Sequence, residues 1–139
     1  MFMKGVLNAT DVRKNWGRFI DTVIYEKPKI VKRNRDFLIS LSIKQAKVLL
    51  NSFHFKIIYS KEDDGTVTAT LDDFDLVVNE VDEMSARKAL AQELIEYAQE
   101  YFSEFQLYFN SPNRQSHFPY ILMILLQEDL NGVIDLISA

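Results

Sequence analysis

Apolar side chains recur at Val12, Trp16, Phe19, Ile20 and Val23. These are helix intervals, so the stretch predicts one amphipathic helix with a single buried stripe. Asn8 stands where an N-cap is needed, and Asp11 falls near the first-turn amides. Pro28 ends the helix, because the residue before a proline is pushed out of the helical region. A short strand over residues 4–7 precedes it. After the proline comes Lys29-Ile30-Val31-Lys32-Arg33, a β-branched run, followed by the turn-like Asn34-Arg35-Asp36. Phe37-Leu38-Ile39-Ser40-Leu41-Ser42 is the return strand. Its near-continuous apolar content predicts burial on both faces, with a second subunit as one source of cover. Ser42 is placed to cap a short helix over residues 43–50, and Asn51-Ser52 marks a module boundary.

Beyond that boundary the period changes. Residues 53–60 predict a strand, Glu62-Asp63-Asp64-Gly65 a turn with a strong hairpin signal, and residues 66–71 a half-buried strand of alternating threonine and apolar side chains. Asp72-Asp73 breaks the run, and residues 74–79 form a third strand. Asp82 caps a long helix over residues 83–109, with Leu90, Leu94, Ala98, Tyr101, Phe102, Phe105 and Phe109 on one face. A loop at residues 110–113, a short apolar helix over residues 119–127 and an apolar tail at residues 131–137 complete the chain. The fold class is therefore α+β: a β-α-β-hairpin-α module in residues 1–52, then in residues 53–139 a three-stranded antiparallel sheet with a long helix and a short C-terminal helix.

Charge divides the same way. Residues 1–50 hold 11 Lys and Arg against 4 Asp and Glu, a net +7, while residues 51–139 hold 5 against 16, a net −11. A basic half and an acidic half imply two different partners, because only the first is attracted to phosphate. Lys4, Thr10, Arg13, Lys14 and Asn15 lie at or near the first helix, and Lys32, Arg33 and Arg35 cluster at the hairpin tip. Helix-start amides with flanking Arg and Lys attract phosphate, and Arg can also pair with a guanine edge. A single copy is small for specific binding, so a symmetric dimer on a palindromic site is the natural form.

The chain holds no cysteine, which excludes a disulfide framework and a cysteine nucleophile and suits a reducing cytosol. The longest apolar run near the C-terminus is too short for a bilayer span, and the first residues lack a signal-peptide core, so a cytoplasmic protein is expected. Its four glycines form no phosphate loop, and His54 and His117 have no metal-ligand spacing. Asp72, Asp73 and Asp75 could ligate a divalent cation, yet in a strand only Asp73 and Asp75 would share a side. No cofactor is expected. Tyr97, Tyr101, Phe105 and Tyr108 make an aromatic stripe in the acidic half, where core packing or a groove for a protein partner is favoured over base stacking.

The order Ala9-Thr10-Asp11-Val12-Arg13-Lys14-Asn15, Phe19-Ile20, Val23, Pro28, Ile30, Lys32-Arg33 and the run to Leu41-Ser42 resembles the N-terminal domain of the prevent-host-death (Phd/YefM) antitoxin family. Arg13 and Asn15 match its Arg-x-Asn pair, and Arg33 its basic residue before the turn. Asn34 stands where the family usually has glycine, and Asp36 where proline is common. The resemblance implies a homodimer that binds operator DNA, represses its own promoter and neutralises a cognate toxin through its C-terminal segment. In simple members that segment is a short, partly disordered tail, and here it is long and predicted to fold. Residues 53–110, with Asp64-Gly65, Asp73-Phe74-Asp75 and the cap at Asp82, are similar to the HicB antitoxin core, although Val81 replaces a common glycine. That second resemblance implies a basic, ribonuclease-type toxin as partner. A stand-alone transcriptional regulator with a ligand- or protein-sensing second module is the alternative, and a metal-dependent nuclease a third.

Overall fold

The computed structural model describes residues 1–138. The chain divides into two compact units, with the boundary between Leu49 and Leu50.

The first unit runs β1 (Leu7–Asn8), α1 (Ala9–Lys14), α2 (Trp16–Tyr25), β2 (Lys29–Arg33), β3 (Asp36–Ser40) and α3 (Ile43–Leu49). Its sheet has the order β1-β2-β3, with β1 parallel and β3 antiparallel to β2. Asn8 caps α1 by accepting from the Thr10 amide at 2.8 Å. The single long helix expected here is in fact two. Asn15 leaves the helical region (φ −123, ψ 42), and its side-chain Nδ2 donates to the Asp11 carbonyl at 3.1 Å. The Asn15 backbone amide donates to the same carbonyl at 3.1 Å, so backbone and side chain together close α1 where the chain turns. Asn34 takes a left-handed φ of 54 in the hairpin turn, a conformation asparagine tolerates better than most residues. Ser42 and Gln45 form a reciprocal capping box on α3, at 2.8 and 3.1 Å. Gln45 Nε2 also donates to the Val23 carbonyl, which ties α3 to α2.

The buried cluster of this unit is small: Val12, Phe19, Val23 and Val31, with Leu7 and Ala9 against it. Trp16, expected within the buried stripe, is 58% exposed. Phe37, Leu38 and Ile39 are exposed as well, so the return strand is not buried within one chain.

The second unit runs β4 (Phe55–Lys61), β5 (Val67–Leu71), β6 (Leu76–Glu80), α4 (Glu83–Ser103), α5 (Phe105–Phe109), a 3-10 turn (Gln115–His117), α6 (Phe118–Leu125), α7 (Leu130–Asp135) and β7 (Ile137–Ser138). The sheet order is β6-β5-β4-β7. The expected three-stranded antiparallel sheet gains a fourth, parallel strand, with Phe55 beside Ile137 and Lys56 beside Ser138. Asp82 caps α4 by accepting from the Ser85 amide at 2.7 Å. The long helix breaks at Glu104 (φ −113, ψ 44). The break lets Phe105 and Phe109 of α5 meet Phe118, with ring centroids 5.2 and 5.4 Å apart. Phe102 points away, 56% exposed, and so leaves the face predicted for it. The apolar tail is ordered: Asp129 caps α7 through the Gly132 amide at 2.9 Å. The core joins Phe55, Ile57, Ala69 and Leu71 of the sheet to Leu90, Leu94, Ala98 and Tyr101 of α4, closed by Ile121, Ile124, Val133 and Ile137. Alternation along β4 explains its share: Phe55 and Ile57 point inward, Lys56 and Ile58 outward.

Candidate functional site

In the first unit, the parallel register of Asn8 beside Lys32 sets α1 in motion next to the end of β2. Thr10, in the first turn of α1, therefore lies at the same end of the unit as Lys32 and Arg33. Arg13 and Lys14 follow about 6 Å further along the helix axis, at 1.5 Å per residue. Arg35 sits in the hairpin turn itself. All of these side chains are exposed, and Lys4, before β1, is exposed too. Lys32 is directly across from Phe37, its Nζ 5.4 Å from the ring centroid, and Arg33 is across from Asp36. Thr10, Lys32, Arg33 and Arg35 thus fall toward one end of the unit, with Arg13 and Lys14 one turn along α1, a basic rim that also holds the exposed Asp11 and Asp36. Asn15 has a structural task at the α1–α2 junction, which uses one of its two Nδ2 hydrogens and leaves the other and Oδ1 for another partner.

A second feature of this unit was only partly visible in the sequence. Trp16, Ile20, Ile24, Ile39, Leu41 and Ile43 line an open groove of ≈ 710 Å³. It shares Ile24 and Leu41 with a neighbouring groove of ≈ 430 Å³ that extends to Val48 and Leu49. The apolar content of residues 37–41 was the available signal.

In the second unit the aromatic stripe is largely internal. Tyr101 is fully buried, so it is not a contact residue for any partner; its hydroxyl donates to the Arg114 carbonyl at 2.7 Å. Tyr97, Phe105 and Tyr108 are half-buried and pack against the core. Arg114, the only Lys or Arg after Lys88, was missed in the sequence. Its Nη1 donates to the Tyr97 hydroxyl at 2.7 Å, and its guanidinium lies 5.3 Å and 5.7 Å from the Tyr97 and Tyr108 ring centroids. A hydrogen bond with Glu100 is the main reason the Tyr108 phenol is pushed above its ordinary value.

The Tyr97 hydroxyl is also 2.8 Å from His117 Nδ1, and Phe74 packs on the imidazole at 4.4 Å. Burial, helped by the positive Arg114, pushes the His117 pKa below its ordinary 6.5, while the Asp73 backbone and the Asp73 and Asp75 carboxylates oppose this. The folded state therefore binds a proton less readily than the unfolded chain. The stability it protects is whole above pH 6.5 and is lost as pH falls from there toward the lowered folded value. Unfolding followed between pH 7 and 5 is expected to show this loss, and His117→Asn to flatten it. A profile unchanged by the substitution would assign the slope elsewhere.

Among the described residues, no group of three or more His, Asp or Glu side chains could hold a metal ion, so Asp72, Asp73 and Asp75 do not assemble one. Among them, too, no helix is long and apolar enough to cross a membrane.

The PHD-like family model, described as the antitoxin of RelE/RelB toxin–antitoxin systems, matches residues 3–139. A crystal structure from Syntrophomonas wolfei subsp. wolfei, of an antitoxin part of a proposed toxin/antitoxin system, is similar at 44% identity. The match covers 97% of this chain and 97% of that one, with a TM-score of 0.93. No curated protein matches. The family match runs through the folded second unit, so the long acidic remainder is part of the family pattern rather than a departure from it. Such a family implies a cognate toxin as partner, which favours the antitoxin reading over a stand-alone regulator or a nuclease. Matched across both units, the chain belongs to the PHD-like family of antitoxins of RelE/RelB toxin–antitoxin systems.

Proposed function

We propose that the first unit, in the manner of Phd/YefM antitoxins, pairs two chains and binds operator DNA, and that the second unit neutralises the toxin. The observation that carries the dimer is the imbalance in the first unit. Its buried cluster has four side chains, while Trp16, Ile24, Ile39 and Ile43, which line one groove, are each between 49% and 58% exposed. So small a core rarely holds a unit of this size alone, and a second copy covering that face supplies the missing burial. Two basic rims, related by a two-fold axis, then face two half-sites of one operator. Binding there makes the antitoxin a repressor of its own promoter, within the cytoplasm. The acidic second unit suits a basic toxin of the ribonuclease type, since opposite charge steers association. The similarity of residues 53–110 to the HicB core supports the same class of partner.

Arg33→Ala and Arg13→Ala, titrated against the DNA upstream of the chain's own gene, test the DNA reading. Each is expected to weaken binding and to lower the slope of log affinity against log salt by about one, the signature of one lost phosphate contact. Unaltered binding by both, in a folded dimer, would remove the basic rim from the interface.

A further inference from the structure

We infer that the outer edge of β6 is where the toxin docks, by adding an extended basic strand to the antitoxin's sheet. This rests on the reading that the second unit holds the toxin, and it moves the contact away from Tyr97, Phe105 and Tyr108.

β6 is the last strand of the sheet and is hydrogen-bonded on one side only. Its sequence, Leu76-Val77-Val78-Asn79-Glu80, has none of the lysines or prolines that usually blunt a free edge. The other side of the sheet differs, because β4 there carries Lys61 beyond the two-residue β7. Apolar surface lies along the edge itself: Val77 is 64% exposed and Val81 73%. Val77 stands beside Thr70, on the sheet face away from α4, where Asn79 and Thr68 also lie.

Charge selects the occupant. Asp72, Asp73 and Asp75 precede the edge, Glu80 ends it, and Asp82 and Glu83 follow. A second copy of this unit would bring together two bodies of net −11 and is disfavoured by their repulsion. A strand with an aliphatic, β-branched centre and Lys or Arg at both ends satisfies the open backbone groups, the apolar middle and the acidic ends together.

The test uses the full chain and the protein encoded beside it as the toxin probe. Binding by titration calorimetry is expected to weaken about tenfold in Val77→Lys and in Glu80→Lys, and to hold in Ile58→Lys, which lies two strands inward. Val77 is exposed, so its substitution leaves the fold intact, which the melting temperature checks. Hydrogen exchange in the complex is expected to protect the amides of residues 76–80. Unweakened binding by both variants, or protection confined to the Tyr97–Tyr108 region, overturns the edge while leaving the toxin reading standing. A change in the mass of the free chain on Val77→Lys assigns the edge to a second copy and overturns it too. Failure of the unmodified chain to bind its neighbour overturns the toxin reading, and this inference with it.

Discussion

Tyr101→Ala is expected to lower the unfolding free energy of the second unit by about 3–5 kcal/mol, the usual range for truncating a buried aromatic ring to alanine. The ring is fully buried, stacked on Tyr108 at 5.2 Å and edge-on to Tyr97 at 6.0 Å and Phe105 at 6.1 Å. Its hydroxyl holds the Arg114 carbonyl, just before the 3-10 turn that leads into α6. Alanine leaves a ring-sized void and removes one of the two hydrogen bonds at the Arg114 carbonyl, which the His117 amide also holds at 3.1 Å. Tyr101→Phe separates the two losses and is expected to cost about 1 kcal/mol, the net worth of one hydrogen bond. The single tryptophan, Trp16, lies in the first unit, so its fluorescence reports that unit while near-ultraviolet tyrosine dichroism follows the second. Urea titration with both signals checks the prediction. A loss below about 1 kcal/mol for the alanine variant would show that the site closes over the gap and that Tyr101 is not a keystone of this core.

Ile39→Asp is expected to halve the mass of the free protein and to abolish operator binding at concentrations where the unmodified chain is saturated. Ile39 is 57% exposed on β3 and lines the same groove as Trp16 and Ile24. If two copies close over that groove, the substitution buries a carboxylate with no partner, at a penalty of several kcal/mol. The first unit has little core of its own to fall back on, so its Trp16 signal should melt earlier in the same variant. The melting temperature of the unmodified chain should rise with protein concentration, as it does for subunits that fold on association. Light scattering, a gel-shift titration and thermal melts at two concentrations check all three. Unchanged mass with unchanged operator binding would mean that this face is not the dimer interface.

Much of this architecture was legible because its signals are local. Asn8, Ser42 and Asp82 sit where caps are needed and do cap, and Asn34 and Asp64-Gly65 turn the chain where turn chemistry predicted. The failures share a different origin. The helix break at Asn15, where backbone and side-chain amides share the Asp11 carbonyl, is a local event that the apolar spacing on either side does not record. β7 pairs with β4 across some eighty residues of chain, and a two-residue parallel strand carries no period to detect. Its approach was visible in one respect: Asp129, three residues before Gly132, is an ordinary N-cap signal.

The candidate sites divide likewise. The spacing of Arg and Lys along the chain did not record that strand register sets Lys32 beside Asn8, the cap of α1. The aromatic stripe did not translate into a surface. Spacing on a helix shows which side chains share a face, yet only the packing of α5 and α6 decides which of them are covered. Tyr101 went inside, Tyr97 and Tyr108 became a cradle for Arg114, and Phe102 alone was left outward.

The parallel pairing of β7 with β4 sets an order of events during synthesis. Ile137 is completely buried and stands beside Phe55, at the start of the same unit. The second unit therefore cannot close until residue 137 has left the ribosome, whereas every strand and helix of the first unit is available long before. The nascent chain passes through an interval in which its first unit is ready to fold and its second is still open and vulnerable to proteases. A product cut short before β7 has an unfinished sheet, so the cell's supply of intact second units depends on translation running past residue 137.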